Sequence, residues 1–104
     1  MKAYSVIISD AAEADLRAIY DYIAARAGGE IAFRFVERIE HYCLSFADAP
    51  ERGTQREDLR PGLRTVGFRR RATILFEVRH RAMQVVVHGI YYGGRSYEGE
   101  PDDN

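Results

Sequence analysis

A single cysteine, Cys43, stands among the 104 residues, so no internal disulfide can form and no cystine framework can replace a hydrophobic core. No Cys/His cluster has zinc-site spacing, no H-E-x-x-H occurs and no carboxylate loop has EF-hand spacing. No metal centre or cofactor is therefore predicted. Nucleophilic catalysis finds no G-x-S-x-G. The "GGR" at 93–95 lacks the strand-loop-helix setting of a phosphate-binding loop. The amino-terminal "MKAYSVIISD" offers one Lys and an apolar run of three residues, Val6 to Ile8, too short for a signal segment or a membrane span. A cytoplasmic protein without membrane contact is the expectation. No lysine follows Lys2, so fourteen of the fifteen basic residues are arginine.

What is present is an ordinary globular composition, 46% hydrophobic and 30% charged, which argues against general disorder. The length fits one domain, read here as residues 1–98 followed by an acidic, flexible tail at 99–104. The net charge of −1 hides an uneven distribution. Residues 1–51 sum to −4, residues 52–95 to +7 and residues 96–104 to −4. A basic centre lies between two acidic ends.

Hydrophobic periodicity supplies the architecture. "KAYSVIIS" reads as a first strand over 3–8. Ser9 stands at an N-cap position, with Asp10 and Glu13 where a helix dipole favours anions. Ala12, Leu16, Ile19, Tyr20, Ile23 and Ala27 then recur at helical spacing, and Gly28–Gly29 supplies a left-handed stop. Ala32, Phe35, Val36, Ile39, Cys43 and Phe46 form the stripe of a second helix from about Glu30 to Ala47. So short a link makes the pair an antiparallel hairpin. Pro50, Gly53, Pro61 and Gly62 punctuate a polar connector, followed by strands near 63–68, 73–79 and 83–91. The order is β-α-α-β-β-β, an α+β fold with a small antiparallel sheet and the helical hairpin packed on one face.

Candidate functional residues fall into three groups. Cys43 lies on a buried helical stripe, where a free Cys acts as a small hydrophobe. His41 borders the polar face of its helix and His80 sits in a turn. His88, in "VVVHGIYY", is either a half-buried strand histidine or a base. The arginines from Arg52 to Arg95 suit phosphates or an acidic peptide, or else form a solvated, ion-paired face. "GIYYGGRSYE" sets Tyr91, Tyr92, Arg95 and Tyr97 together, as stacking groups or interface anchors, with one of the adjacent tyrosines required by the core.

"YSVIISDAAEADLRAIYDYIA", "RGTQREDLRPGLRTVGFRRRATILFEV" and "HGIYYGGRSYE" together resemble the ParE branch of the RelE/ParE toxin superfamily, from Tyr4 to Glu98. The specific words are A-x-x-D-L on the first helix, R-G-x-x-R-x-D-L-R-P-G-L-R, and a final G-G-R. The resemblance implies the toxin of a bacterial type II toxin–antitoxin pair. Such a toxin poisons DNA gyrase and is neutralised by a ParD-like antitoxin with a ribbon-helix-helix domain and a segment that orders on the toxin. Direct nucleic-acid contact would then come only through the target or the antitoxin. For antitoxin or target contact the expected residues are Arg60, Arg64, Arg69, Arg70, Arg71, Tyr92, Arg95 and Tyr97.

The sibling RelE-type toxins cut messenger RNA on the ribosome, which needs an activating base, a cation and a proton donor. Here His88, Arg95 and Tyr97 would be the catalytic candidates. Arginine stays protonated and makes a poor base, and the lysines frequent in RelE-type members are missing. A non-enzymatic inhibitor is therefore the favoured expectation, with a ribosome-dependent endoribonuclease and a decayed, non-toxic binding domain as alternatives.

Overall fold

The computed structural model describes residues 3–93. Strand β1 (Ser5–Ile8) leads into helix α1 (Asp10–Ala27), then helix α2 (Gly29–Leu44). After a 3-10 turn at Ser45–Ala47 come β2 (Thr54–Gln55), β3 (Leu63–Phe68), β4 (Ala72–Arg79) and β5 (Gln84–Tyr92). The five strands form one sheet in the order β1-β5-β4-β3-β2. The helical hairpin covers one face, as expected, and three of the four strand pairings are antiparallel. The exception is β1, which runs parallel to β5 with Ser5 opposite Gln84 and Ile8 opposite Val87.

Local chemistry explains most boundaries. The Ser9 hydroxyl accepts from the Ala12 N–H at 3.1 Å, and Asp10 and Glu13 fill the first turn of α1. Such a cap contributes about 1 kcal/mol. Gly28 has φ 97° and ψ 157°, so it stops α1 in an extended, glycine-only conformation rather than the left-handed helical one expected. It also serves as the N-cap of α2. The predicted end of α2 at Ala47 falls on the 3-10 turn that tightens its last residues. In "RPGL" the Leu63 N–H donates to the Arg60 carbonyl at 3.2 Å. Gly62 takes φ 82°, the positive angle a Pro-Gly type II turn demands at its third residue.

The core lies between the hairpin and the inner sheet face. Leu16, Ile19 and Ile23 of α1 and Ile39 and Cys43 of α2 pack with Ile74, Phe76, Val85, Val87 and Ile90. Tyr20, Phe35 and Val36, predicted core members, are half-buried against this cluster. Phe46 and Phe76 meet at a ring separation of 4.6 Å, both fully buried. Truncating either to Ala would cost about 3–5 kcal/mol. Burial pushes the Cys43 thiol up to about 12, with the Glu40 charge adding to the effect, so this cysteine is an inert core residue.

Two irregularities position side chains. The β3–β4 link closes with the Arg71 N–H on the Phe68 carbonyl at 3.0 Å. Its central residues Arg69 and Arg70 have φ 52° and 60°, the left-handed pair of a primed hairpin turn. In β5, Leu75 lies opposite Gly89 while Phe76 lies opposite Val87. His88 is therefore the extra residue of a β-bulge, a device that re-aims a side chain.

Candidate functional site

Alternation along β4 turns Ile74, Phe76 and Val78 inward and Glu77 outward. Glu77 is the lone carboxylate of β4, and it gathers three bases. Its Oε1 lies 2.9 Å from His88 Nε2 and 3.1 Å from an Arg60 guanidinium nitrogen, and its Oε2 lies 3.3 Å from Arg79 Nε. Burial alone would raise the Glu77 carboxyl, but hydrogen bonds from His88 and Arg79 and the nearby guanidinium charges outweigh it and hold the group below its ordinary value. Arg60 also approaches His88 Nε2 at 3.2 Å. That one nitrogen serves one partner at a time: carrying a proton it donates to Glu77, and without one it accepts from Arg60. In the first state Nδ1 is left as a base on a ring oriented by a carboxylate that Arg60 and Arg79 also contact.

The second arrangement lies at the other end of the sheet. A groove runs between α1 and the end of β5. It comprises a cavity of about 320 Å³ lined by Asp15, Ala18, Ile19, Tyr22, Ile90, Tyr92 and Gly93. A neighbouring cavity of about 400 Å³ shares Tyr22, Tyr92 and Gly93 and adds Ile23, Arg26, Ala27, Arg70 and Arg71. Arg26 stacks over the Tyr22 ring at 3.7 Å. An Arg71 guanidinium nitrogen donates to the Tyr92 hydroxyl at 3.3 Å. Tyr92 itself packs edge-on against Tyr22 and Phe35 at ring separations of 5.7 and 5.6 Å. At the opposite end Asp15 Oδ2 accepts the Ile90 N–H at 2.9 Å. Burial and the Asp15 charge raise the neighbouring Tyr91 phenol.

Comparison with known proteins decides what kind of molecule carries these features. Residues 6–97 match the sequence model of the ParE toxin of the type II toxin–antitoxin system, parDE. The chain belongs to the ParE toxin family. A chain of the chromosomal ParDE toxin–antitoxin system from P. aeruginosa superposes with a TM-score of 0.73 at 26% identity, over 86% of this chain and 96% of that one. A chain of the RelBE2 toxin–antitoxin complex from Mycobacterium tuberculosis gives a TM-score of 0.66 at 17% identity, over 89% of this chain and 94% of that one. The isolated E. coli RelE toxin gives 0.61 at 15% identity, over 92% and 90% of the two chains; these last two likenesses show the fold. Comparison with curated protein sequences gives no match.

In this ParE-family toxin the expected contact residues do not form one patch. Arg60 belongs to the Glu77–His88 cluster on the outer sheet face. Arg64 turns toward the edge, donating from Nε to the Arg52 carbonyl at 2.9 Å. Arg69 lies over the Phe68 ring at 5.5 Å, while Arg70, Arg71 and Tyr92 line the groove. Arg95 and Tyr97 lie outside the described residues. His80 is in the predicted turn, bonded to the Tyr4 hydroxyl at 2.7 Å and to Glu51 at 3.2 Å. His41 is exposed.

Three members of these sites escape a linear reading. Tyr22 and Arg26 read as the outer face of α1, and their i, i+4 spacing was the only local clue to the stacked pair. Glu77 could have been flagged as a lone acid between two buried positions in an arginine-rich segment.

Proposed function

We propose that this type II toxin inhibits DNA gyrase in the cytoplasm, stabilising its DNA breaks, and that a ParD-like antitoxin of the ribbon-helix-helix type neutralises it. The observation that carries the reading is the family match over residues 6–97, supported by likeness to a chain of a ParDE system. Residues 1–98 act as the toxin domain. The guanidinium-rich groove suits a protein partner, because arginines beside tyrosines are the side chains that most often anchor interfaces. Purified toxin in stoichiometric and excess amounts is expected to lower gyrase supercoiling and to trap cleaved DNA. Unchanged supercoiling with no trapped complex would remove gyrase as the target.

A second reading is favoured by one specific observation, the contact of His88 with Glu77 and Arg60. An imidazole oriented by a carboxylate, with Arg60 and Arg79 at hand for phosphate charge, is the base and cation of an RNA-cleaving site. Codon-positioned cuts in translated messages, seen by primer extension after induction and abolished by His88→Ala, would establish that chemistry. Their absence would leave the cluster a structural ion network. Growth unaffected by induction without antitoxin would show a chain that has lost toxicity.

A further inference from the structure

We infer that Tyr4 is an acyl-acceptor site, a phenol set against His80 as base with Glu51 holding the imidazole, and that it takes an acyl group from an activated donor, a thioester or an acyl phosphate. The three residues come from segments far apart in sequence. Tyr4 precedes β1, and its N–H donates to the Ala47 carbonyl at 2.9 Å. Ser5 next donates from its N–H to the Met83 carbonyl at 2.9 Å, and the Met83 N–H closes the β4–β5 turn on the His80 carbonyl at 3.1 Å. These main-chain bonds hold the turn beside the start of β1, at the end of the sheet away from the α1–β5 groove. Glu51 enters from the connector that follows the 3-10 turn.

The side chains stand in the order nucleophile, base and orienting group. Tyr4 is half-buried against the core cluster, and its hydroxyl lies 2.7 Å from His80 Nδ1. The two rings meet edge-on, 5.8 Å apart at 90°. His80 Nε2 lies 3.2 Å from a Glu51 carboxylate oxygen. A carboxylate only accepts, so Nε2 carries the proton of the neutral ring and Nδ1 presents its lone pair to the phenol. A hydroxyl within such reach of a base that a third group orients is the signature of an activated nucleophile.

In the acyl transfer the phenolic oxygen attacks the carbonyl carbon of the donor and forms an ester bond. The bond from that carbon to sulfur or to phosphate oxygen breaks, and the leaving group keeps its electron pair. The phenolic proton passes to Nδ1 as the ester forms, and the Glu51 carboxylate stabilises the resulting imidazolium. Water then takes the proton from the imidazole, whose side chain is 55% exposed. Because the proton moves during the attack, the phenol need not ionise beforehand. The ester has no O–H to donate, so acylation also severs the Tyr4–His80 bond.

Acetyl-coenzyme A and acetyl phosphate, each incubated with the full chain at neutral pH, test this. Peptide mass mapping follows acetylation at Tyr4 and at Tyr22, which at 48% exposure is the more accessible ring. Tyr4 is expected to react about tenfold or more faster than Tyr22 with at least one donor, the reverse of their order of exposure. Hydroxylamine strips the tyrosine ester and leaves acetylated amines intact, which separates the two products. In His80→Gln the excess at Tyr4 should vanish while Tyr22 is labelled at its native rate, and Glu51→Gln should reduce the excess in part. Far-UV circular dichroism verifies that both variants fold, and the ratio of the two tyrosines within one molecule is independent of protein amount. The donor that labels Tyr4 identifies the source of the acyl group. Tyr4 labelled no faster than Tyr22 by either donor overturns the inference, and so does an excess that survives His80→Gln.

Discussion

Gly53 shows how much a single hydrogen in place of a side chain can decide. Its φ is 76°, and a Cβ there would stand 2.1 Å from the Thr65 carbonyl oxygen of the backbone. Gly53→Ala is expected to lose about 2–3 kcal/mol by urea unfolding, through left-handed strain and loss of the β2–β3 edge. The sequence marked this glycine only as connector punctuation, because the atom it must avoid lies twelve residues away. Glu77 gives a pH signature. Its carboxyl is lowered in the folded chain from an ordinary 4.5, so its contribution to stability is complete above that value and is lost as pH falls through the lower folded one. Glu77→Gln should therefore unfold more readily than the native chain at pH 7, with the gap in denaturation midpoint closing as acid is added below about pH 4.5. A gap independent of pH would show that packing, and not the charge, explains the difference.

Among the elements, helices were the most legible. Leu16, Ile19, Ile23 and Ile39 are buried where their spacing placed them, and Ser9 caps α1 as its chemistry required. The strand over 63–68 was read at its observed limits, since its apolar residues and the preceding Pro-Gly turn bound it on one side. β2 was missed because two residues, Thr54 and Gln55, carry no period. The β3–β4 turn carries no glycine or asparagine to announce two left-handed residues, so the sequence leaves the geometry of "RRR" open. Replacing that pair with the residues the turn prefers, Arg69→Asn with Arg70→Gly, is expected to stabilise the hairpin by about 1 kcal/mol and raise the melting temperature. The same variant should weaken antitoxin binding, measured by calorimetry. Stability gained and affinity lost together would show that the two arginines are kept for contact at a cost in stability.

At the scale of the whole molecule, the described arginines of the basic centre divide between two ends of the sheet, Arg60 and Arg79 on Glu77 at one and Arg70 and Arg71 on the groove at the other, a separation invisible in the linear charge count. Only tertiary pairing places Arg26 of α1 beside Arg70 and Arg71, and only the bulge at His88 sets that ring on Glu77. Fold was thus carried by local patterns, while each site depends on contacts between segments far apart in sequence. Association with the antitoxin is expected to slow as salt rises from 0.05 to 0.5 M in stopped-flow measurements, by about tenfold or more, because steering by such a field is screened. A rate that ignores salt would place the contact on the apolar surface alone.

The parallel pairing of β1 with β5 has a consequence in time. Ser5 meets Gln84, one of the longest loop closures the chain can make, and such non-local contacts form slowly. Synthesis delivers β1 and α1 first and β5 last, so the growing polypeptide on the ribosome holds one wall of the α1–β5 groove without the other. The groove comes into being only as β5 docks, and a nascent chain with β1 and α1 alone is mute toward any partner that needs both walls.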